Sequence, residues 1–319
     1  MKTMQLQSAA SETDQMSQRE IKKRKFMRQL PLHLMILPPA IIVAIFSYGA
    51  MGGIIMAFER YIPTKGILGS EWVGMANFRQ LFSLPDTMQI IGNTVYIAGM
   101  KMILGVIVPV IFALLLNEIS NIRLKKLIQT AVYLPNFLSW VILAGIFIDI
   151  LSPSQGIVNQ LLNKIGIKSI FFLGDPKIFP NTMIVTDVWK SFGFGSVIYI
   201  AALTGIDPTL YEAAKIDGAN RWKQTLHVTI PGLASTIVLM ATLSLANVLN
   251  GGFDQIYNLY SPVVYSTGDI LDTMVYRMGI QEAQYSIATA AGLFKSVISC
   301  FFIVLSYKLA DKFAGYRIF

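Results

Sequence analysis

Three lysines stand deep inside long apolar runs, away from their ends: Lys101, Lys190 and Lys295. They fall nine, eight and ten residues after the starts of runs that begin at Gly92, Thr182 and Tyr285. At about 1.5 Å of rise per residue, all three would lie at a similar depth in a bilayer. Intramembrane charges are rare and usually face a cavity. Three cations at one depth would attract an acidic ligand. The alternative is that their long stems carry the ammonium groups out to the lipid headgroups. Two carboxylates, Asp149 and Asp187, share the apolar runs. Asp187 precedes Lys190 by three residues, so the spacing predicts that it neutralises that lysine. Nothing points to bond-making chemistry, and no catalytic or metal-ligating set is expected. There is one cysteine, Cys300, and there are two histidines, His33 and His227, with no cluster of metal-ligand types around them.

The elements that must position these lysines are membrane helices. Hydrophobic residues make up 54% of the 319-residue chain and charged residues only 14%, against roughly 25% charged in soluble domains. Mean hydropathy is +0.56. A helical span needs about 20 apolar residues. Six runs qualify: His33–Phe58, Gly92–Asn117, Leu127–Leu151, Thr182–Ile206, Leu233–Leu249 and Tyr285–Ala310. They are too long and too uniformly apolar for transmembrane strands. The net charge of +8 is spread between the runs and over the basic segment Arg19 to Gln29, which orients a membrane protein and gives no sign of a nucleic-acid partner. Segments on the N-terminal side carry 16 Lys and Arg, against 7 on the opposite side. The positive-inside rule then places both termini in the cytoplasm. No cleaved signal peptide is read, and residues 1–18 are expected to be disordered. The predicted organisation is a cytoplasmic basic segment over 1–29 and a six-helix domain over 30–319.

One charged stretch interrupts the apolar pattern, LYEAAKIDGANRWKQTLHVTIPGL (Leu210 to Leu233), between the fourth and fifth runs. Asp207 can cap a helix that opens with Pro208. Gly218 suits the left-handed residue that ends it. Asn220 can cap a second short helix, which Pro231 is expected to stop while opening the next membrane helix. Ala213 and Ala214 make a flat face, and Glu212 lies one turn before Lys215. Such a knuckle could receive another protein, or could lie on the lipid surface as an ordinary amphipathic helix.

The motif Glu212-Ala213-Ala214, three residues, Gly218, nine residues, then Val228-Thr229-Ile230-Pro231 resembles the EAA loop of permease subunits of bacterial ATP-binding-cassette importers. It departs at two positions, Val for Ile and Ile for Leu. Trp72–Phe82, Tyr133–Phe147 and Gly251–Ile280 resemble the maltose-type carbohydrate branch, and within it the permeases for oligosaccharides from polysaccharides such as alginate or pectin. The resemblance runs from about Leu30 to the C-terminus. It implies a type I importer permease in the bacterial cell membrane, all-α, with six transmembrane helices and cytoplasmic EAA coupling helices in the loop 207–231. Glu212, Ala213, Ala214 and Gly218 would contact a separate ATPase, with Asp217 and Arg221 flanking the turn. The implied partners are a second homologous permease, two ATPase subunits, an extracytoplasmic solute-binding protein and an oligosaccharide. ATP and Mg would be used by the ATPase subunits and no cofactor by this chain. The sequence carries no G-x-x-x-x-G-K-[ST] loop, and Gly193 and Gly195 suit close helix packing instead.

The family places substrate contacts on the helices either side of the EAA loop. That brings Lys190, Ser191 and Phe194, then Ser244, Asn247 and Asn250, to the candidate path beside Lys101 and Lys295. Each is open to a second reading as an interhelical hydrogen bond or packing contact, and Trp140 and Trp189 as interface anchors. Two other functions stay in play. One is an amino-acid or peptide importer permease. The other is an ion-coupled sugar transporter, which would need more intramembrane carboxylates than Asp149 and Asp187.

Overall fold

The computed structural model describes residues 18–314. The expectation for residues 1–18 therefore lies outside the described residues except at Gln18, which opens the first helix. Residues up to Ile55 form one unit and those from Met56 onward a second.

The first unit is a long helix, α1 (Gln18–Val43), followed by a π-helical turn at Ala44–Gly49. Pro31, Pro38 and Pro39 lie within α1. The stretch from Phe26 to Phe58 is 33 residues long with a mean hydropathy of 2.1, enough to cross a bilayer.

The second unit begins with a short antiparallel pair, β1 (Glu59–Arg60) and β2 (Glu71–Trp72), in the register Glu59 to Trp72. A small helix, α2 (Ala76–Ser83), leads to the long α3 (Thr87–Asn117). Asn77 secures this corner, its amide donating to the carbonyls of Ala57 and Glu59 at 2.9 Å each. Next come α4 (Ile122–Tyr133), α5 (Trp140–Ile150), α6 (Ile157–Lys164) and α7 (Phe179–Thr204). The charged segment forms α8 (Pro208–Ile216) and α9 (Arg221–Gln224). After it stand α10 (Ile230–Ser244), the short α11 (Phe253–Leu259) and α12 (Leu271–Tyr276), and finally α13 (Tyr285–Ala314).

Four stretches are each long and apolar enough to span: 26–58, 87–117, 221–247 and 285–309. Two bent pairs, α4 with α5 at 106° and α7 with α8 at 71°, bring the number up to six if each pair is one span. Two sequence expectations need correction. The third run is not one helix. Pro135 has no N–H for the helical ladder, and the chain tightens into a 3₁₀ turn at Leu134–Phe137. Ser139 then caps a new helix by accepting from the Ile142 N–H at 3.3 Å. Pro231 does stand in the first turn of the membrane helix Ile230–Ser244, as expected, but it does not stop the helix before it. A π turn at Thr225–Thr229 precedes it, and the helix continues from Arg221 to Asn247. Such a bulge re-aims the carbonyls that a proline would otherwise meet.

In the second unit the helices close around α3 and α7, which pack along their lengths. One core joins Ile97 on α3 to Phe179, Met183 and Val188 on α7 and to Ile256 and Leu259 on α11. A second joins Leu81 and Ile90 to Met274 and to Ile287 and Ala291 on α13. Gly193 is required by close approach. A Cβ there would lie 2.3 Å from the Val132 carbonyl oxygen, so α7 rests directly on α4.

Candidate functional site

The charged segment folds as its punctuation implies. The Asp207 carboxylate accepts from the Thr209 N–H at 2.9 Å, and that backbone bond holds its pKa below the usual carboxylate value. Pro208 occupies the first turn of α8. Gly218 takes φ +76°, and the Ala219 N–H returns to the Ala214 carbonyl at 2.8 Å. The Asn220 side chain accepts from Lys223 N–H at 2.9 Å and caps α9. The Tyr211 hydroxyl meets Thr229 Oγ1 at 3.0 Å and ties α8 to the helix that follows. Glu212, Ala213, Asp217 and Gly218 are exposed on this knuckle, while Ala214 is half-buried. Arg221 is engaged within the chain: its Nη1 lies 3.0 Å from Glu118 Oε2 at the end of α3. That pair is exposed and worth little stability. The predicted pairing of Glu212 with Lys215 does not form among the described residues. At one exposed turn of helix such a contact is worth only tenths of a kcal/mol, about 0.2–0.5. Beside Arg221 and Trp222 lies an apolar cavity of about 510 Å³.

Polar side chains gather elsewhere, in two cavities that share Asn247 and Asn250. One, of about 240 Å³, is lined by Lys101, Asp187, Ser244 and Gly252 as well. The other, of about 370 Å³, adds Phe253, Asp272, Lys295 and Ser299. Asn247 and Asn250 are exposed to this space. Ser244 is turned back on its helix, donating to the Ala241 carbonyl at 2.7 Å. Five residues named from the sequence, Lys101, Ser244, Asn247, Asn250 and Lys295, line these two cavities.

Lys190, Ser191 and Phe194 do not join them. Lys190 reaches the broken third span, where Nζ donates to the Asn136 carbonyl at 3.1 Å and sits 5.5 Å from the centre of the Trp140 ring. Phe194 meets Phe137 edge-on at 5.8 Å. Ser191 donates to the Asp187 carbonyl at 2.9 Å within α7. The expected Asp187–Lys190 pair is therefore wrong. Asp187 instead faces Lys101, with Oδ1 3.6 Å from Nζ. An uncapped carbonyl and an indole face, both exposed by the break after Pro135, give Lys190 its partners. Trp140 and Trp189 pack on either side of Phe147, at 6.5 and 5.6 Å.

Lys101 is the most enclosed of the three lysines, 8% exposed. Its ammonium donates to the Gly251 carbonyl at 2.7 Å and to Gln255 Oε1. The Gln255 amide in turn donates to the Met183 carbonyl at 2.8 Å and to Thr186 Oγ1 at 2.7 Å. Gly252 has φ +85°, and a Cβ there would lie 2.8 Å from Lys101 Nζ. One lysine thus fastens α3, α7 and the start of α11. Lys295 on α13 is paired with Asp272 on α12, each about a fifth exposed. Sequence reading missed Gln255, Gly252, Phe253 and Asp272, which lie outside the apolar runs. Farther along the same segment, Asp269 is paired with Arg277, which stacks 4.8 Å from the Tyr265 ring centre.

Residues 105–314 match the family described as "Binding-protein-dependent transport system inner membrane component". The chain belongs to that family. The permease is also 38% identical over 316 residues, 98% of each chain, to the polygalacturonan/rhamnogalacturonan transport system permease protein YteP of Bacillus subtilis (strain 168). It is 37% identical to Protein LplB of the same organism, over 88% of this chain and 89% of the relative. Among solved structures, a bacterial ABC transporter involved in import of the acidic polysaccharide alginate superposes with a TM-score of 0.82 at 37% identity. That match covers 91% of the permease and 98% of the solved chain. A second structure, of bacterial alginate ABC transporter in complex with alginate pentasaccharide-bound periplasmic protein, gives 0.83 at 36% identity. It covers 92% and 99% of the two chains. The permease therefore has the type I ABC importer fold.

Proposed function

We propose that this permease forms half of the translocation path of an ATP-driven, binding-protein-dependent importer of acidic oligosaccharides. The observation that carries the reading is likeness over 98% of the chain to a polygalacturonan/rhamnogalacturonan permease. The two polar cavities that meet at Asn247 and Asn250 support it. They supply amide groups for hydroxyls beside lysines of the sign that suits a uronate.

The permease is non-catalytic and works with a second, homologous permease, two ATPase subunits that use ATP and Mg, and a solute-binding protein that delivers the sugar. The family match supports a bacterial inner-membrane location, and the distribution of Lys and Arg supports cytoplasmic termini. The ATPase meets the knuckle at Glu212, Ala213, Ala214, Asp217 and Gly218. Arg221 supports it from behind through Glu118. Two short capped helices locked by a glycine turn can pass on a push as a rigid body.

The test is uptake by the reconstituted importer, with its binding protein and ATPase, of oligogalacturonide against a neutral oligosaccharide and an amino-acid mixture. ATP-dependent uptake of the acidic sugar is expected. Transport of amino acids instead, or ion-driven sugar flux through the permease alone, would refute the proposal. Asp187 is committed to Lys101, which weakens the ion-coupled alternative further.

A further inference from the structure

Lys101 and Lys295 both face an aspartate, but their surroundings differ. The Lys101 ammonium donates to the Gly251 carbonyl and to Gln255 Oε1 and has the Asp187 carboxylate 3.6 Å away, so three oxygens surround it. Among the described contacts, Lys295 has one partner, the Asp272 carboxylate. Two of its donors therefore remain for whatever enters the cavity of about 370 Å³. A space of that size lies at the low end for small-ligand sites, roughly 300–1,000 Å³. Its wall is suited to a sugar. Asn247 and Asn250 offer amide groups, and Phe253 offers a ring face. That ring is held by Tyr257, stacked at 5.3 Å and 17°.

From this contrast we infer that Lys295 and Asp272 form a counter-ion exchange site. A carboxylate of the incoming sugar replaces Asp272 on the Lys295 ammonium. Asp272 sets the specificity by competing for the same cation. The inference rests on the functional reading above. When the path is empty, Asp272 neutralises Lys295. When a uronate arrives, charge-assisted hydrogen bonds form with the sugar, and Asp272 turns to water in the open cavity. A neutral sugar has nothing to offer Lys295 in exchange. Lys101 takes no part, because Gly251, Gln255 and Asp187 already enclose it.

The test is uptake by the complete importer in proteoliposomes, comparing trigalacturonate with the same trimer methyl-esterified at its carboxyls. The binding protein is unchanged throughout, so its own preference cancels between variant and wild type. Lys295→Met should lower the acid-to-ester uptake ratio by roughly fivefold. Asp272→Asn should raise it, because the competitor is gone. The double variant Asp272→Asn/Lys295→Gln keeps the site neutral, so ester uptake should continue with the acid preference lost. Ratios that stay at the wild-type value, or that move the same way in both single variants, would overturn the exchange. If the wild-type importer takes up neither trimer with ATP, the functional reading falls and the exchange falls with it.

Discussion

Removing the Lys101 ammonium tests whether that residue is a fastener. Lys101→Met keeps most of the stem and deletes the charge. Two acceptors then lose their donor, the Gly251 carbonyl and Gln255 Oε1. An unsatisfied buried group costs about 1–3 kcal/mol. The adjoining polar cavity of about 240 Å³ admits water, so the lower end applies, about 2 kcal/mol for both. Asp187 is left without its cation, but its side chain is 28% exposed, which limits that loss to about 1 kcal/mol. The sum is about 3 kcal/mol. At about 2 °C per kcal/mol for a chain this large, the melting temperature should fall by about 6 °C. Lys295→Met loses a single pair whose two ends are each about a fifth exposed, worth about 1 kcal/mol and so about 2 °C. Thermal unfolding of the purified permease in one detergent, followed by tryptophan fluorescence, reads both. Adding Asp187→Asn to Lys101→Met should recover part of the loss, since it removes the stranded charge. Equal shifts for the two lysine variants, or a Lys101→Met protein as stable as wild type, would refute the division into fastener and exchange site.

Other consequences follow from the glycines and the knuckle. Gly218→Val places a β-branched residue at φ +76°, costing about 1–2 kcal/mol. It should separate ATP hydrolysis from uptake in the reconstituted importer, whereas Gly218→Asn, which tolerates that conformation, should keep much of the coupling. Glu212→Lys should also uncouple ATPase from transport without changing the melting temperature, because Glu212 is exposed and has no ion-pair partner among the described residues. Gly193→Val would drive a side chain into the Val132 backbone, whose oxygen is 2.3 Å from the Cβ position. It should cost about 3 kcal/mol or more by overpacking and lower the yield of monodisperse permease on size-exclusion chromatography.

Local features were legible in the sequence because local physics decides them. A run of about 20 apolar residues is long enough to span a bilayer whatever it packs against, and four to six candidate spans follow from length and composition alone. Asp207, Gly218 and Asn220 act on groups two to five residues away, so their caps and turn could be read directly. Pairings between distant elements were not legible. Asp187 was assigned to Lys190 by helical spacing, yet Lys190 found a carbonyl and an indole on another span, while Lys101 came to Asp187 from α3. The break in the third span had its signal in Pro135 and Ser139. Uniform apolarity outweighed that signal, because hydropathy measures burial and takes no account of a missing N–H. Asp272 was invisible for a related reason: it lies outside every apolar run, and only the fold carries it back to Lys295.

The pairing of both cavity lysines changes how the proposed preference for acidic sugars has to be argued. A free ammonium at mid-depth in a membrane helix costs about 2.5–3.5 kcal/mol even by the mildest scale, so an unpaired row of lysines would be a costly lining for an empty path. Two carboxylates remove that cost and also remove the static field that would draw anions. Attraction at a distance then cannot be the source of preference. What remains is competition at contact, where a sugar carboxylate must do at least as well as the resident aspartate. The residue that discriminates is therefore the one whose counter-ion can leave. Lys101, held by two hydrogen bonds and closed in by the Asp187 carboxylate, does not meet that condition. Lys295 does, with one acceptor and an open cavity at its side. Substitution of Asp272, which touches no sugar at rest, should consequently alter substrate preference more than substitution of Lys101, which lies nearer the centre of the packed helices.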